Sequence, residues 1–109
     1  MLTIQTSTRG TANVPCFGPI EVDGMRLEGV DGKSMRGDPL WQVTLTFGAP
    51  DRDRHGNDIG GDRVRGCGPT PQAALDALLA ERGCRRTAIR VRAAQAKLAA
   101  AIRDGITFV

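Results

Sequence analysis

The residues whose types and spacing best suit recognition chemistry are six cations near the carboxyl end, Arg85, Arg86, Arg90, Arg92, Lys97 and Arg103. At 100° per residue, Arg86, Arg90 and Lys97 lie along one side of a helix. Arg92 and Arg103 lie along another side. Such groups bind phosphates and carboxylates, and the affinity they supply falls as salt rises. The pattern therefore predicts a surface for nucleic acid or an acidic protein, with a solvated helix face as the alternative.

The positive charge of the chain is concentrated at this end. Residues 84–109 carry six basic side chains and one acidic one, whereas residues 1–83 carry nine basic and eleven acidic ones. Between the two cationic rows runs a strip of small or apolar residues, Ile89, Ala93, Ala96 and Ala100, which would let a partner approach closely. Because nearly all the basic residues are arginine, coding bias in a G+C-rich genome is the other explanation of the charge.

The polar loop of residues 48–61 contains a pattern that resembles a calcium-binding loop. Asp51, Asp53, Gly56 and Asp62 occupy positions 1, 3, 6 and 12 of that register. However, His55 stands at a ligand position that requires oxygen, and two arginines in the loop offset its negative charge. We therefore expect a solvated hairpin loop, with no metal and no cofactor.

The segment Gly66–Thr70 holds the last candidate for chemistry. Cys67 stands near the start of a predicted helix, where a thiolate or a bound anion would be stabilised. The segment lacks the lysine and the glycine spacing of a phosphate-binding loop, and His55 is the one histidine of the chain. A plain strand-to-helix turn and a protein without catalytic activity are therefore predicted.

The cysteines and the absence of targeting segments favour a cytoplasmic location. Cys16, Cys67 and Cys84 cannot all pair within one chain, and no two have the spacing of a metal-ligand pair. No signal-peptide pattern opens the sequence, and no stretch approaches the ~20 apolar residues of a membrane span. We expect reduced thiols that pack in or near the core.

The elements that must position the cations begin with strands. Leu2–Thr6 alternates apolar and polar residues as a short strand does, and residues 7–19 are predicted to be a loop. Asp23-Gly24 predicts a type I′ hairpin turn, because that turn needs positive φ at both central residues. Residues 41–47 alternate strictly, and residues 62–67 can return as their partner. This alternation predicts a sheet with one buried face and one solvent-exposed face, which is typical of antiparallel sheets.

Two helices follow the strands. Thr70 can cap the first helix, Pro71 suits its first position, and Gly83 can end it. The second helix is predicted from about Thr87 to Asp104. Its apolar face consists of Val91, Ala94, Leu98, Ala101 and Ile102. The last four residues can form a strand or pack as a tail. The predicted fold is α+β, with an antiparallel sheet of about five strands and two carboxyl-terminal helices packed on one face.

Part of this pattern resembles two families of small modules. A strand that ends in glycines and opens an Ala- and Leu-rich helix resembles the double-stranded-RNA-binding domain, at Gly66, Gly68, Thr70, Ala73, Ala74, Ala77 and Leu78. Pro71 and Gln72 replace that family's basic residues at the helix start. Ala73-Ala74-Leu75 after a glycine-containing turn is similar to the HicB-like antitoxin module. In size and lack of catalytic equipment the chain resembles small phage accessory proteins, including anti-CRISPR inhibitors.

These observations lead to one functional hypothesis and one alternative. Residues 1–109 are expected to form a single domain that regulates or inhibits a protein, or a protein–nucleic acid complex, by occupying its surface. The alternative is a nucleic-acid-binding module that uses the same cations. A homodimer is compatible with the limited surface that a chain of this length can bury. No membrane partner is expected.

Overall fold

The computed structural model describes residues 2–48, 53–56, 61–83, 85 and 87–109. The elements of this part of the chain are β1 (Leu2–Ile4), β2 (Ser7–Arg9), β3 (Val14–Val22), β4 (Met25–Asp31), β5 (Trp41–Phe47), β6 (Asp62–Gly68), α1 (Pro71–Ala80), α2 (Ala88–Ala101) and β7 (Ile106–Phe108). Five strands form one antiparallel sheet in the order β2-β3-β4-β5-β6. Together with the two helices, this sheet confirms the predicted α+β fold.

The predicted alternation of β5 is confirmed, and it defines the two faces of the sheet. Val43 and Leu45 of β5 are fully buried, whereas the threonines and the glutamine between the apolar residues are partly exposed. Leu45 lies opposite Leu27 of β4 on one side and Val64 of β6 on the other. These residues and the buried residues of both helices form one hydrophobic cluster, so the helices cover this face.

The hairpin between β3 and β4 has the predicted turn. Asp23 has φ of 50° and Gly24 has φ of 77°, which are the positive values that a type I′ turn requires. Val22 and Met25 pair across the turn and are both buried. Turn chemistry was therefore sufficient to locate this hairpin.

The prediction of a loop over residues 7–19 was wrong, because β2 and the first half of β3 lie there. All three residues of β2 are exposed, so no apolar alternation marks it. In β3 the pairing register with β4 shifts between Phe17 and Ile20, and Gly18 lies at this irregularity with φ of +77°. A Cβ at Gly18 would lie 2.6 Å from the Leu27 carbonyl oxygen. A bulge of this kind accommodates proline within a strand.

The two ends of the chain form a separate parallel sheet, in which Leu2 pairs with Ile106 and Ile4 with Phe108. The last segment is thus a strand, and its partner is β1 rather than a strand of the large sheet. The Phe108 ring lies 5.2 Å from the Phe17 ring, which also stacks on Trp41 at 6.1 Å. This pair of strands therefore closes one end of the core.

Helix α1 begins as predicted, with the Thr70 hydroxyl accepting a 3.1 Å hydrogen bond from the Ala73 amide and Pro71 in the first turn. The helix lies directly on β6. A Cβ at Gly66 would collide with the backbone nitrogen of Leu78, and one at Gly68 would lie 2.7 Å from the backbone nitrogen of Ala74. The two glycines are therefore needed for close contact between helix and strand.

Helix α2 is shorter than predicted at its carboxyl end, because it stops at Ala101. A turn follows, in which the Gly105 amide donates to the Ile102 carbonyl at 2.8 Å. The φ of Gly105 is 103°, which favours glycine where the chain turns towards β7. Within the described residues, neither helix has the length and hydropathy needed to cross a membrane.

Candidate interaction surface on helix α2

Helix α2 is held against the core by the face that the sequence predicted, with one exception. Val91, Ala94 and Leu98 are buried, and Ile102 packs partly against the same cluster. Ala101 is exposed instead of buried. It lies at the flank of the apolar stripe in the last turn of α2.

A buried polar residue that periodicity did not reveal also positions α2. The side-chain amide of Gln95 donates to the carbonyl oxygens of Leu78 at 2.9 Å and of Glu81 at 2.5 Å. These carbonyls lie at the carboxyl end of α1, where the Leu78 carbonyl otherwise accepts only a 3.3 Å bond from the Glu81 amide. Gln95 supplies additional donors at this end of the helix. Helix α1 ends at Ala80, so the prediction that Gly83 ends this helix was wrong. Sequence patterns do not reveal this contact, since glutamine is usually exposed.

Four of the predicted cations are free to meet a partner. The residues concerned are exposed and form no ion pair with a described carboxylate: Arg85, Arg92, Lys97 and Arg103. Arg103 lies in the turn that follows α2, so the prediction that the helix carries Arg103 was wrong. Arg86 lies outside the described residues. Most of the charge that the sequence places at this end is therefore not neutralised by the described part of the fold.

Arg90 differs from the other cations because its guanidinium is paired within the fold. Its Nη1 lies 2.7 Å from Oδ2 of Asp62, a buried oxygen that accepts no hydrogen bond from the described residues. The guanidinium also packs on Gly48, where a Cβ would lie 2.7 Å from Nη2. The side chain of Arg90 is still 59% exposed. It therefore fixes the start of α2 to the sheet while it contributes only part of its charge to the surface.

A groove of about 350 Å³ separates α2 from the tip of the β3–β4 hairpin. Met25 and Phe47 line it from the core side, and Lys97 lines it from α2. Asp23 lies across the groove from the helix. An apolar floor beside a lysine suits a short segment that has both an apolar and an acidic side chain.

The predicted strip between the cationic rows is exposed along its whole length. Ala93, Ala96 and Ala100 are exposed, and Ile89 has 86% of its surface accessible. Their spacing of four, three and four residues is that of a coiled-coil seam. Because three of the four side chains are methyl groups, the backbone of a partner can approach this helix closely.

The other candidate sites of the sequence acquire no chemistry in the described structure. Of the calcium-like register, Asp51 lies outside the described residues, Asp53 and Gly56 share a turn in which the Gly56 amide donates to the Asp53 carbonyl at 3.0 Å, and Asp62 is paired with Arg90. Exposed His55 lies in a turn, where its amide donates to Asp53 at 2.8 Å. No group of three or more histidine, cysteine or acidic residues within the described ranges could hold a metal ion.

The cysteines divide between the core and the surface. Cys16 is buried and its sulfur lies 3.7 Å from the Ser7 hydroxyl, as the expectation of core thiols requires. That expectation was wrong for Cys67, which is exposed on the helix-free face of β6. Both are free thiols. Cys84 lies outside the described residues.

Sequence reasoning overlooked the helix-free face of the sheet. Arg63 and Arg65 of β6 are exposed there, opposite Thr46 and Thr44 of β5. The alternation of charged and apolar residues in β6 could have revealed this surface, because it places both arginines on the sheet face where the polar residues of β5 are partly exposed.

No protein-family model, curated protein or solved structure matches this chain. The resemblances to double-stranded-RNA-binding and HicB-like modules therefore stay predictions from the residues of β6 and α1.

Proposed function

We propose that this chain is a non-enzymatic binding protein that regulates or inhibits a macromolecular partner by covering part of the partner's surface. The proposal is supported by the composition of the solvent-exposed face of α2. Exposed cations without partners in the described fold flank a strip of alanines there. A phage-encoded inhibitor, of the kind that includes anti-CRISPR proteins, is the specific form we propose.

Charge and shape together suit the exposed face of α2 to binding an acidic surface. Unpaired arginines steer an acidic surface towards α2 from a distance, and the effect is strongest at low salt. Alanines then permit close contact at a small entropic cost, because alanine has no rotamers to lose. The helix of 14 residues is roughly 21 Å long, which is enough to carry the centre of a protein interface.

The test is affinity capture with the full chain, followed by an assay of the partner's activity. Wild-type protein is compared with a variant carrying Arg92→Glu, Lys97→Glu and Arg103→Glu. The control reverses three exposed cations away from α2, by Arg9→Glu, Lys33→Glu and Arg36→Glu. We expect one partner to be retained and inhibited by wild type and control, and lost by the α2 variant. Equal retention by all three proteins, or no specific partner, would contradict the proposal.

The second candidate function is direct nucleic-acid binding by the same cations. The observation that favours it is that exposed Arg92 and Lys97 lie on opposite flanks of the alanine strip of α2, whose small side chains let a phosphate backbone approach. A gel-shift titration at low salt tests it. Binding that weakens steeply with salt, and weakens further in Arg92→Ala and Lys97→Ala, would support this candidate. No shift at low salt would eliminate it.

A further inference from the structure

Strand β6 forms an open edge of the five-stranded sheet. It pairs with β5 on one side, and no described strand lies on its other side. Outside this ladder, residues 62–68 make no backbone hydrogen bond with another described residue. Alternate N–H and C=O groups of an edge strand point away from the sheet, where they can pair with an added strand.

The side chains at this edge differ between its two faces: arginines lie on one face, and Val64 with two glycines lies on the other. Arg63 and Arg65 project from the helix-free face, and neither forms an ion pair with a described residue. Their cross-strand neighbours are Thr46 and Thr44, which are uncharged. On the opposite face β6 lies against α1, and Gly66 leaves no side chain there.

We propose that the β6 edge binds an extended acidic segment of a partner protein, which adds to the sheet as a further strand. Main-chain hydrogen bonds would supply the pairing, as in other strand-addition complexes. Carboxylates at alternate positions of the added strand would lie beside Arg63 and Arg65, because cross-strand neighbours on one face are about 5 Å apart. This surface is separate from α2, so the inference does not rest on the proposed function.

The same arginines disfavour a second copy of this chain as the occupant. Antiparallel pairing of two β6 strands about a two-fold axis keeps the helix-free faces on one side. Arg63 and Arg65 of one copy would then share rows with those of the other. Like charges directly opposite destabilise a sheet, and charged edges are a common protection against edge-to-edge association.

Single-stranded nucleic acid is also a poor occupant of this face. Such binding depends on aromatic side chains on which bases stack. The chain has one tryptophan, three phenylalanines and no tyrosine. All four aromatic residues, Phe17, Trp41, Phe47 and Phe108, belong to the core or pack against it. The helix-free face therefore offers charge without a stacking platform.

The probe for the experiment is a blocked peptide of eight residues in which glutamate and threonine alternate. Its binding to the full chain is measured by fluorescence anisotropy, and amide hydrogen exchange locates the contact. The matched control peptide has the same sequence with N-methyl groups on two adjacent central residues. The methyl groups remove hydrogen-bond donors from both edges of the peptide and leave its charge unchanged.

We expect the unmethylated peptide to slow exchange at β6 amides and to bind at least five-fold more tightly than its methylated control. The variant Arg63→Gln with Arg65→Gln should weaken binding roughly three- to ten-fold. Arg9→Gln with Arg36→Gln, the matched control, removes two exposed arginines that lie outside both β6 and α2 and should leave binding within two-fold. Since Arg63 and Arg65 are exposed, both variants should retain the wild-type circular dichroism spectrum.

Three results would overturn the proposal. Equal binding of the methylated peptide would show that charge alone is responsible. Protection of α2 amides instead of β6 amides would place the contact elsewhere. Binding of a single-stranded oligonucleotide in place of the peptide would replace the acidic segment with nucleic acid.

Discussion

The side-chain amide of Gln95 in α2 donates a 2.9 Å hydrogen bond to the carbonyl oxygen of Leu78 in α1. The same amide reaches the carbonyl of Glu81, so one residue satisfies two acceptors at the end of a helix. The orientation of the basic helix therefore depends on a contact between the two helices as well as on its apolar stripe.

Replacing this amide should destabilise the fold. Gln95→Leu keeps the side chain's approximate volume but removes two hydrogen bonds and leaves the buried Leu78 carbonyl with only the 3.3 Å bond from the Glu81 amide, so the free energy of unfolding should fall by about 1–2 kcal/mol. Urea denaturation followed by circular dichroism measures the change. The same substitution at exposed Gln72, which bonds only Asp76, is the control and should cost about 0.5 kcal/mol or less. Equal losses at the two positions would contradict the role of Gln95.

The contact between α1 and β6 should tolerate no side chain at Gly66. Gly66→Ala would force a methyl group into the backbone of α1, and we expect a loss of about 1–3 kcal/mol or more. Gly32→Ala is the matched control, because the nearest heavy atom to a Cβ there is the Leu40 carbonyl oxygen at 3.7 Å. Thermal unfolding of the two variants checks this. A stable Gly66→Ala protein would mean that α1 does not lie on β6 in this way.

The pair of Arg90 and Asp62 should contribute modestly to stability and lose that contribution in salt. Because the Arg90 side chain is 59% exposed, we expect a coupling of roughly 0.2–1 kcal/mol in a double-mutant cycle of Arg90→Ala with Asp62→Asn. Raising the salt to about 1 M should reduce it. The cycle of Arg92→Ala with Asp62→Asn should show no coupling, since Arg92 forms no ion pair with a described residue. Coupling of the same size in both cycles would argue against the contact.

The two described thiols should react at different rates. Exposed Cys67 should be alkylated by iodoacetamide in the native protein roughly ten-fold or more faster than buried Cys16, which needs a local opening to react. Mass spectrometry of the digested protein measures each site separately. In denaturant the two rates should converge, which serves as the control. Rapid labelling of Cys16 in the native state would indicate that β2 does not cover it.

Elements marked by periodicity or by turn chemistry could be predicted from the sequence. Strand β5 has strict alternation, Asp23-Gly24 has the residues of one turn type, and Thr70-Pro71 opens a helix. Each of these signals is local. The exposed strip on α2 was also predictable, because the positions opposite a buried stripe follow from 3.6 residues per turn.

Features that depend on distant residues could not be predicted. The pairing of Leu2 with Ile106 joins the two ends of the chain, and no local pattern encodes it. Strand β2 has no buried residue and therefore no alternation. The ion pair of Arg90 with Asp62 depends on where α2 crosses the sheet. The sequence pattern therefore predicted that the cations of both rows, including Arg90, are without an ion-pair partner.

The parallel pairing of β1 and β7 has a consequence for the order in which the protein is completed. During synthesis on the ribosome, Leu2 and Ile4 emerge about 100 residues before their partners Ile106 and Phe108. Closing a loop of this length costs entropy that only the finished contact can repay. Until Phe108 arrives, the nascent chain must leave one side of Phe17 open to water.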